Sequence, residues 1–593
     1  MSSALLPRLQ SIIRAEAEQQ RFELRRQWSL PLPERVARGY AIEGLEVFSI
    51  RPNGTLRLSC QTNDSRFREG DFLVIHRGDP ETPERLSGVL EYDDETELEV
   101  SLMEGNVDFL RTTPGGWIVD EDMLDLSRFY LDALDQVADR LLGREVILPL
   151  LSGEKGPNID YARYARSWEE AMTAGLNESQ AEAVAQGYAT DLVHLIQGPP
   201  GTGKTFVLAH LARQLVEDGQ RVFVTALTHR AINNALEKIA QVDAGLPVCK
   251  IGRTERARDL PVPNFENFVL SGFGDLPGGY IVGATPFATQ TERLANVEFD
   301  VVLFDEASQV TLPLAIMGML VAPKYIFIGD QRQLPPVTTL KASELARTSI
   351  FGYLSGRGYE TLLTTTYRMN DALTAWPSRT FYENAIQSAP GAAERRLILD
   401  GGSSKWDFAL GPQQPLVFLD LCHHNTMVRS RTEAEVVTEL VQALIRARIP
   451  PREIGVVVPY RAQARLIRNL LRDVLHSREM LHELVVDTVE RMQGQEREVV
   501  LVSLATSSPG FAEQLAEFFF QPERLNVAIT RPRTKLILVG SRRVLEAEPD
   551  QPECQAWVDL FRDLVAHCTT FTAPFRFSTS NQSGRQSRQD QAG

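Results

Sequence analysis

Apolar positions change their spacing several times along the chain, and the changes divide it. Up to about Trp28 they recur at helical spacing, until Ser29–Arg35 (SLPLPER) breaks the pattern with two prolines, each of which fixes φ and removes an amide donor. Over residues 40–102 the apolar runs shorten to strand length. Val47–Ile50 and Thr55–Cys60 flank the turn signal Arg51-Pro52-Asn53-Gly54, and Phe72–Ile75 and Leu86–Tyr92 follow. Glu97–Leu102 then alternates polar and apolar after Asp93-Asp94. Short strands joined by close turns predict a small β-barrel. Helical spacing returns over residues 121–145 (Met123, Leu124, Leu126, Tyr130, Leu131, Leu134, Val137, Leu141), so the barrel reads as an arm carried between two helices.

From about residue 176 the pattern becomes α/β. Apolar strand-like runs at Leu192–Ile196, Val222–Ala226, Val301–Phe304 and Tyr325–Ile328 are separated by helical segments, as in a parallel sheet with crossover helices. Residues 385–415, rich in Gly, Pro and Ser, read as an irregular loop. A second series then follows at Val417–Leu419, Ile454–Val458, Val499–Leu504 and Leu536–Val539. The tail from about Phe575 is polar and is expected to be disordered.

Length and composition narrow the class. A chain of 593 residues is too long for one core. Its 43% hydrophobic and 24% charged residues suit a globular protein, and no apolar run reaches the roughly 18 residues that span a bilayer. The N-terminus lacks the features of a secretory signal. Five cysteines stand singly with no CxxC pair, which argues against zinc modules, iron–sulfur clusters and disulfides and points to a reducing, cytoplasmic setting. A net charge of −16 weighs against nucleic-acid binding unless the positive residues gather in one groove.

The chemistry begins at Gly198-Pro199-Pro200-Gly201-Thr202-Gly203-Lys204-Thr205, which fits GxxxxGK[ST] between an apolar strand and the helix-like Phe206–Leu215. Its glycines let amides approach phosphates, Lys204 offers a charge to the β/γ-phosphates, and the Thr205 hydroxyl is a ligand for Mg²⁺. Asp305 and Glu306 end the strand Val301–Phe304. Asp305 is expected to hold the metal and Glu306 to orient or deprotonate the attacking water, which favours hydrolysis. Gln333, in Gly329–Pro336 (GDQRQLPP), is placed to sense the γ-phosphate. Arg368 and Arg531, from the second half of the chain, are candidate arginine fingers.

The order of motifs resembles a known family. Leu176–Gln180 (LNESQ), GPPGTGKT, Thr228–Asn234 (THRAINN), Asp305–Gln309 (DEASQ), GDQRQLPP, Thr366–Asn370 (TYRMN), Pro459–Gln463 (PYRAQ), Asp487–Glu498 (DTVERMQGQERE) and Arg524–Arg533 (RLNVAITRPR) occur in sequence over about residues 176–545. This is similar to the superfamily 1B helicases, P-loop helicases of AAA type. The group includes the nonsense-mediated-decay RNA helicase, the immunoglobulin mu-binding helicase and the motor half of the replication nuclease-helicase. The resemblance implies an α/β fold of two RecA-like P-loop domains in tandem, with an N-terminal helical stalk carrying the small β-barrel. The expected limits are 1–39 stalk helix, 40–112 barrel, 113–155 returning stalk helix, 156–350 first RecA-like domain, 351–573 second, and 574–593 disordered tail. By the resemblance Gln180 reads the adenine edge, Tyr367 stacks near the base, and Glu496 contacts the ribose. Thr228, Asn234, Thr285, Pro459 and Thr488 face the nucleic-acid strand.

The expected activity is ATP-dependent 5′→3′ translocation on single-stranded nucleic acid with duplex unwinding, DNA favoured over RNA, and with ATP and Mg²⁺ as cofactors. The expected partners are single-stranded DNA or RNA and a separate nuclease or regulatory protein, for a monomer that does not engage a membrane. The rivals are a nucleoprotein remodeller without strong unwinding and an ATP-clamped scaffold for a nuclease. The stretch Leu246–Tyr280 is short where the family often inserts a helical subdomain.

Overall fold

The computed structural model describes residues 2–572, apart from 52–53, 62, 64, 68–69, 94–95, 105–109, 111–114, 258–259, 341–342, 402–403 and 476. The centre of the first turn signal, Asp94 and the polar tail therefore lie outside the described residues. The chain divides into two units, 1–364 and 365–593. Among the described residues no helix is long and apolar enough to cross a membrane.

The first unit opens with the helix Ser2–Trp28 and the short helix Leu32–Ala37. Six antiparallel strands follow: β1 (Ala41–Ile50), β2 (Thr55–Ser59), β3 (Phe72–His76), β4 (Leu86–Asp93), β5 (Glu97–Glu104) and β6 (Trp117–Glu121). They close a barrel in the order β1-β2-β5-β4-β3-β6 around Leu45, Leu56, Leu58, Leu73, Leu90 and Trp117. The expected limit at 112 is thereby corrected to Glu121, and the helical reading of 121–145 fails over residues 121–126. β6 extends the barrel to Glu121 by pairing with β1 and β3, and the returning helical segment runs from Ser127 to Asp139 and, after Arg140, on to Ser152. What hid β6 is a buried carboxylate on the face away from the barrel core, which Trp117 and Val119 line. Asp120 is 1% exposed, and its Oδ2 accepts from Arg35 Nη1 and His76 Nε2, each at 2.8 Å. His76 Nδ1 accepts from the Gly78 amide, which assigns the ring proton to Nε2, facing Asp120.

Eight parallel strands form the main sheet of this unit: β7 (Val193–Gln197), β8 (Arg221–Thr225), β9 (Val248–Ile251), β10 (Asn264–Phe265), β11 (Tyr280–Gly283), β12 (Val301–Phe304), β13 (Lys324–Gly329) and β14 (Glu360–Leu362). Their order is β10-β9-β11-β8-β12-β13-β7-β14. Successive side chains point to opposite faces, and both faces are buried, which is why these strands read as unbroken apolar runs. Val302, Phe304, Tyr325 and Phe327 pack with the stalk residues Leu9, Ile13, Leu134 and Val137. Val301, Leu303, Ile326 and Ile328 pack with Leu208, Leu211 and Leu236 from the helices Lys204–Glu217 and His229–Val242. The segment 246–280 supplies β9 and the two-residue β10 to the sheet edge.

The boundary between units falls after Thr364, where residue 350 was expected. Ile350, Phe351 and Leu354 belong to the first core, and β14 pairs with β7.

The second unit begins with two short strands, β15 (Thr365–Thr366) and β16 (Gln387–Ser388). Its six-stranded parallel sheet comprises β17 (Leu416–Asp420), β18 (Ile454–Val458), β19 (Val485–Thr488), β20 (Arg497–Ser503), β21 (Pro532–Gly540) and β22 (Thr569–Thr572). The order is β19-β18-β20-β21-β17-β22. Val417, Val456, Leu501 and Ile537 pack against Val437 and Leu440 of the helix Arg431–Arg446 and Ile467 and Leu471 of the helix Arg461–Leu475.

Candidate functional site

In a parallel sheet the loops that leave the carboxyl ends of the strands gather along one edge, where ligands bind. In the first unit three neighbouring strands, β12, β13 and β7, send out Asp305-Glu306, Asp330–Pro336 and Gly198–Thr205 respectively. The sheet order thus brings together three sequence-distant motifs.

The phosphate loop turns tightly because Gly201 and Gly203 hold φ values of +75° and +86°. Thr202 braces it through Oγ1, which donates to Pro199 O at 2.8 Å, and the Gly198 amide donates to Gly329 O at 2.8 Å. Pro199 and Pro200 are buried beneath it. The helix Lys204–Glu217 starts at the loop's end, so its free amides and dipole face the loop. Lys204 Nζ donates to Gly198 O at 2.6 Å, so the ammonium folds back over the loop. Gln180 lies alongside. Its amide forms a capping box with Asn177 at the start of the helix Glu178–Ala189, and Nε2 donates to Thr202 O at 3.0 Å.

Asp305 is almost fully buried and accepts from the Glu306 amide. Burial first, and the Glu306 charge second, push its carboxyl well above the usual range, with Lys204 pulling the other way. A buried carboxylate in this setting is ionised most readily beside a cation. Among the described residues no group of three or more His, Cys, Asp or Glu could hold a metal. One carboxylate with the nearby Thr205 hydroxyl is a donor set that fits Mg²⁺ completed by nucleotide phosphates. Glu306 sits at φ +50°, a left-handed conformation that a residue with a Cβ adopts at a cost of order 1 kcal/mol or more.

Asp330 organises the third loop. Its Oδ1 accepts from Gln197 Nε2 and its Oδ2 from Gln333 Nε2, both at 2.6 Å. Gln333 is buried in that position.

The same edge continues past the motifs above. Thr228 follows β8 and Thr285 follows β11, the two neighbouring strands beyond β12. Thr228 caps the helix His229–Val242, its Oγ1 accepting from the Ala231 amide. Asn234 is exposed on that helix, whereas Asn233 turns inward and its Oδ1 accepts from Lys250 Nζ at 2.5 Å. Lys250 also donates to Arg256 O, and Arg256 pairs with Glu91 of the barrel at 3.3 Å. Burial, then the Arg256 charge, lower Lys250 to about 8. Nothing in the motif pattern singled out Asn233 or Lys250, because their link depends on β9 lying beside the helix.

In the second unit the candidates separate onto two edges. Arg368, Glu496 and Arg531 collect at the amino ends of β20 and β21. Arg368 Nε donates to Glu496 Oε2 at 2.9 Å and Nη1 to Thr530 O at 3.0 Å. Arg531 is 2% exposed and donates through Nε to Val527 O and through Nη1 to Gln495 O. Burial opposes the Glu496 charge, but Arg368 and Arg533 hold the carboxyl below its usual range. Tyr367 has an exposed ring next to Arg368. Pro459 and Thr488 stand at the other edge, at the carboxyl ends of β18 and β19, with Thr488 buried.

That second edge also holds a buried network outside the motifs. Glu433, fully buried, accepts from Ser503 Oγ (2.7 Å), the Ala505 amide (2.8 Å) and His423 Nε2 (2.7 Å). Gln463 joins it, donating to Ser503 Oγ at 2.9 Å and Ser430 O at 3.1 Å. The network holds Ala505 at φ +61°. Only Gln463 had a signal in the sequence, through PYRAQ.

Comparisons with known proteins show what the chain is similar to. Residues 175–375 and 346–543 each match a family model described as an AAA domain. The mouse DNA replication ATP-dependent helicase/nuclease DNA2 is 30% identical over 414 residues, covering 63% of this chain and 38% of the relative. The Drosophila melanogaster regulator of nonsense transcripts 1 homolog is 31% identical over 421 residues, 62% of this chain and 35% of the relative. The chain thus spans little more than a third of the length of these relatives. A crystal structure of the arterivirus nonstructural protein 10 helicase matches at a TM-score of 0.39 with 13% identity, over 89% of this chain and 82% of that one.

Proposed function

The chain belongs to the superfamily 1B helicases through residues 175–543, and from that premise we propose that it is an ATP-driven 5′→3′ translocase that steps along single-stranded nucleic acid and separates duplexes. The observation that carries the reading is the shared carboxyl edge of β7, β13 and β12. There a phosphate loop, a buried carboxylate followed by a second one, and a buried glutamine stand on adjacent strands.

In this reading the amides of Gly201–Thr205 and the helix they open bind the phosphates. Lys204 exchanges its bond to Gly198 O for the β/γ-phosphate oxygens. Thr205 and Asp305 would hold Mg²⁺ together with the nucleotide, and the ion would supply charge neutralisation at the phosphates. The Glu306 carboxylate orients the attacking water and takes its proton. Gln333 registers the γ-phosphate and passes its loss to Asp330 and Gln197. Arg368 and Arg531 act as the arginine fingers that the resemblance implies, with Gln180, Tyr367 and Glu496 as nucleotide contacts. Thr228, Asn234, Thr285, Pro459 and Thr488 mark the strand path. Contacts of this kind go to the backbone, so binding is largely indifferent to sequence.

ATP hydrolysis by the purified chain, measured alone and with matched single-stranded DNA and RNA, tests the reading. Stimulation of at least ten-fold is expected, with DNA the stronger activator, and unwinding of duplexes with a 5′ tail but not a 3′ tail. Hydrolysis indifferent to either strand overturns it. Stimulated hydrolysis that displaces bound protein without opening duplexes leaves a remodeller instead.

A further inference from the structure

The loop that carries Gln333 does not end at the nucleotide site. It runs through Pro335 and Pro336 to Thr338, Thr339 and Leu340, and there it is seized by one side chain of the first helix, 322 residues away from Thr338. Glu16 Oε2 accepts from Thr338 Oγ1 at 2.6 Å and from the Leu340 amide at 3.2 Å. Glu16 Oε1 accepts from the Thr339 amide at 2.8 Å and from Thr339 Oγ1 at 2.9 Å. One carboxylate thus gathers four donors from three consecutive residues. Partial burial opposes its charge, but these bonds hold Glu16 below the usual carboxylate range.

Three further features make the link directional. The connector from Gln333 to Thr338 is short, and its two prolines fix φ, so it transmits a displacement in place of absorbing one. The helix continues unbroken from Glu16 to Trp28, about 18 Å at 1.5 Å per residue. Its far end grips the barrel, where Trp28 Nε1 donates to Glu121 O of β6 at 3.0 Å. Leu9 and Ile13 hold the preceding turns of the helix in the core. A cavity of about 230 Å³, lined by Ile13, Ala17, Tyr130, Pro313 and Val337, opens beside Glu16. At Glu16 itself, beside that cavity, polar bonds fix the helix to the loop.

We propose that Glu16 is a positioning residue that couples the γ-phosphate sensor to the barrel: Gln333 moves, the Thr338–Leu340 segment pulls on Glu16, and the stalk helix shifts β6. The inference rests on the reading of Gln333 given above. It places the barrel under the control of nucleotide state within one unit, through bonds that no helicase motif contains.

Hydrogen–deuterium exchange of the full chain, with and without the non-hydrolysable analogue adenylyl-imidodiphosphate and Mg²⁺, tests it in wild type, Glu16→Ala and Glu16→Gln. The expected result is nucleotide-dependent protection of residues 198–205 in all three. The exchange of residues 17–28 and 117–121 should respond in wild type, respond weakly in Glu16→Gln and not respond in Glu16→Ala. A stalk and β6 response that is the same in Glu16→Ala as in wild type, or absent from wild type although the phosphate loop is protected, overturns the coupling. Lack of protection at 198–205 in wild type overturns the nucleotide reading itself and the coupling with it. If Glu16→Ala does not fold, the double variant Thr338→Val with Thr339→Val removes the two hydroxyl donors and is held to the same outcomes.

Discussion

A Cβ placed on Gly198 would lie 2.1 Å from Lys204 Cγ and 2.7 Å from its Cδ. The clash is with one side chain, so Gly198→Ala is expected to push the ammonium aside and leave the sheet intact. ATP turnover should fall at least ten-fold, about 1.4 kcal/mol, while the melting temperature moves by no more than about 2 °C. A large drop in melting temperature would mean that β7 absorbs the clash. Lys204→Ala should lower turnover at least a hundred-fold, and retained hydrolysis would place the active site elsewhere. In the second unit Glu433→Ala leaves the buried Ser503, Ala505 and His423 donors without their acceptor. A loss of about 3 kcal/mol is expected in urea unfolding of that unit. These three residues were unequally legible. The phosphate loop is a local signature of eight consecutive residues, whereas Glu433 lies 70 residues from Ser503, and only the folded sheet brings the two together.

At the scale of strands and helices, the unbroken apolar runs announced β12, β13 and β18, because strands buried on both faces need apolar residues at every position. β6 was missed for the opposite reason. Its sequence, WIVDE, carries a buried charge on the face opposite its core residues Trp117 and Val119, and the partner that satisfies it, Arg35, is 85 residues away. Asp120→Ala is therefore expected to leave a buried guanidinium unpaired and to loosen the barrel by about 3 kcal/mol or more. Limited proteolysis should then cut within 40–121 while ATP hydrolysis in the absence of nucleic acid persists. Lys324, which begins β13, gives a second prediction. Its Nζ donates to Tyr188 O at 2.9 Å, and burial, then the Arg163 charge, lower it from 10.5 to about 7. Between those values the unfolded chain holds a proton that the folded chain has released. Stability therefore rises with pH from about 7 to 10.5 and is lost as pH falls toward 7. Lys324→Met should stabilise the protein more at pH 7 than at pH 10, the gap closing by at most about 1.4 kcal/mol per pH unit. Chemical unfolding of both proteins across that range measures it, and a constant difference would show that the ammonium stays charged in the fold.

For the molecule as a whole, the net charge of −16 and a strand-binding role make opposite demands. They are compatible if Arg230, Arg253, Arg256 and Arg293, which follow β8, β9 and β11, carry the contact. The affinity for a single strand should then fall steeply with salt. A log–log slope steeper than about −2 corresponds to three or more phosphate contacts at ~0.7 each, and a flat salt dependence would remove this surface from consideration. The division into units was legible from the two α/β series, but its place was not. Ile350–Leu354 and Glu360–Leu362 join the first sheet by packing that no composition shift marks. The closed barrel has one more consequence. Each of its six strands is bonded on both sides, so among the described residues these strands show no row of free amides to a neighbouring molecule. The open sheets end instead on short edges of two to four residues: β10 and β14 in the first unit, β19 and β22 in the second. In a crowded solution the barrel is thus the part of this protein least able to seed edge-to-edge aggregation. Its hairpin tips can lengthen or vary in sequence without exposing a new edge.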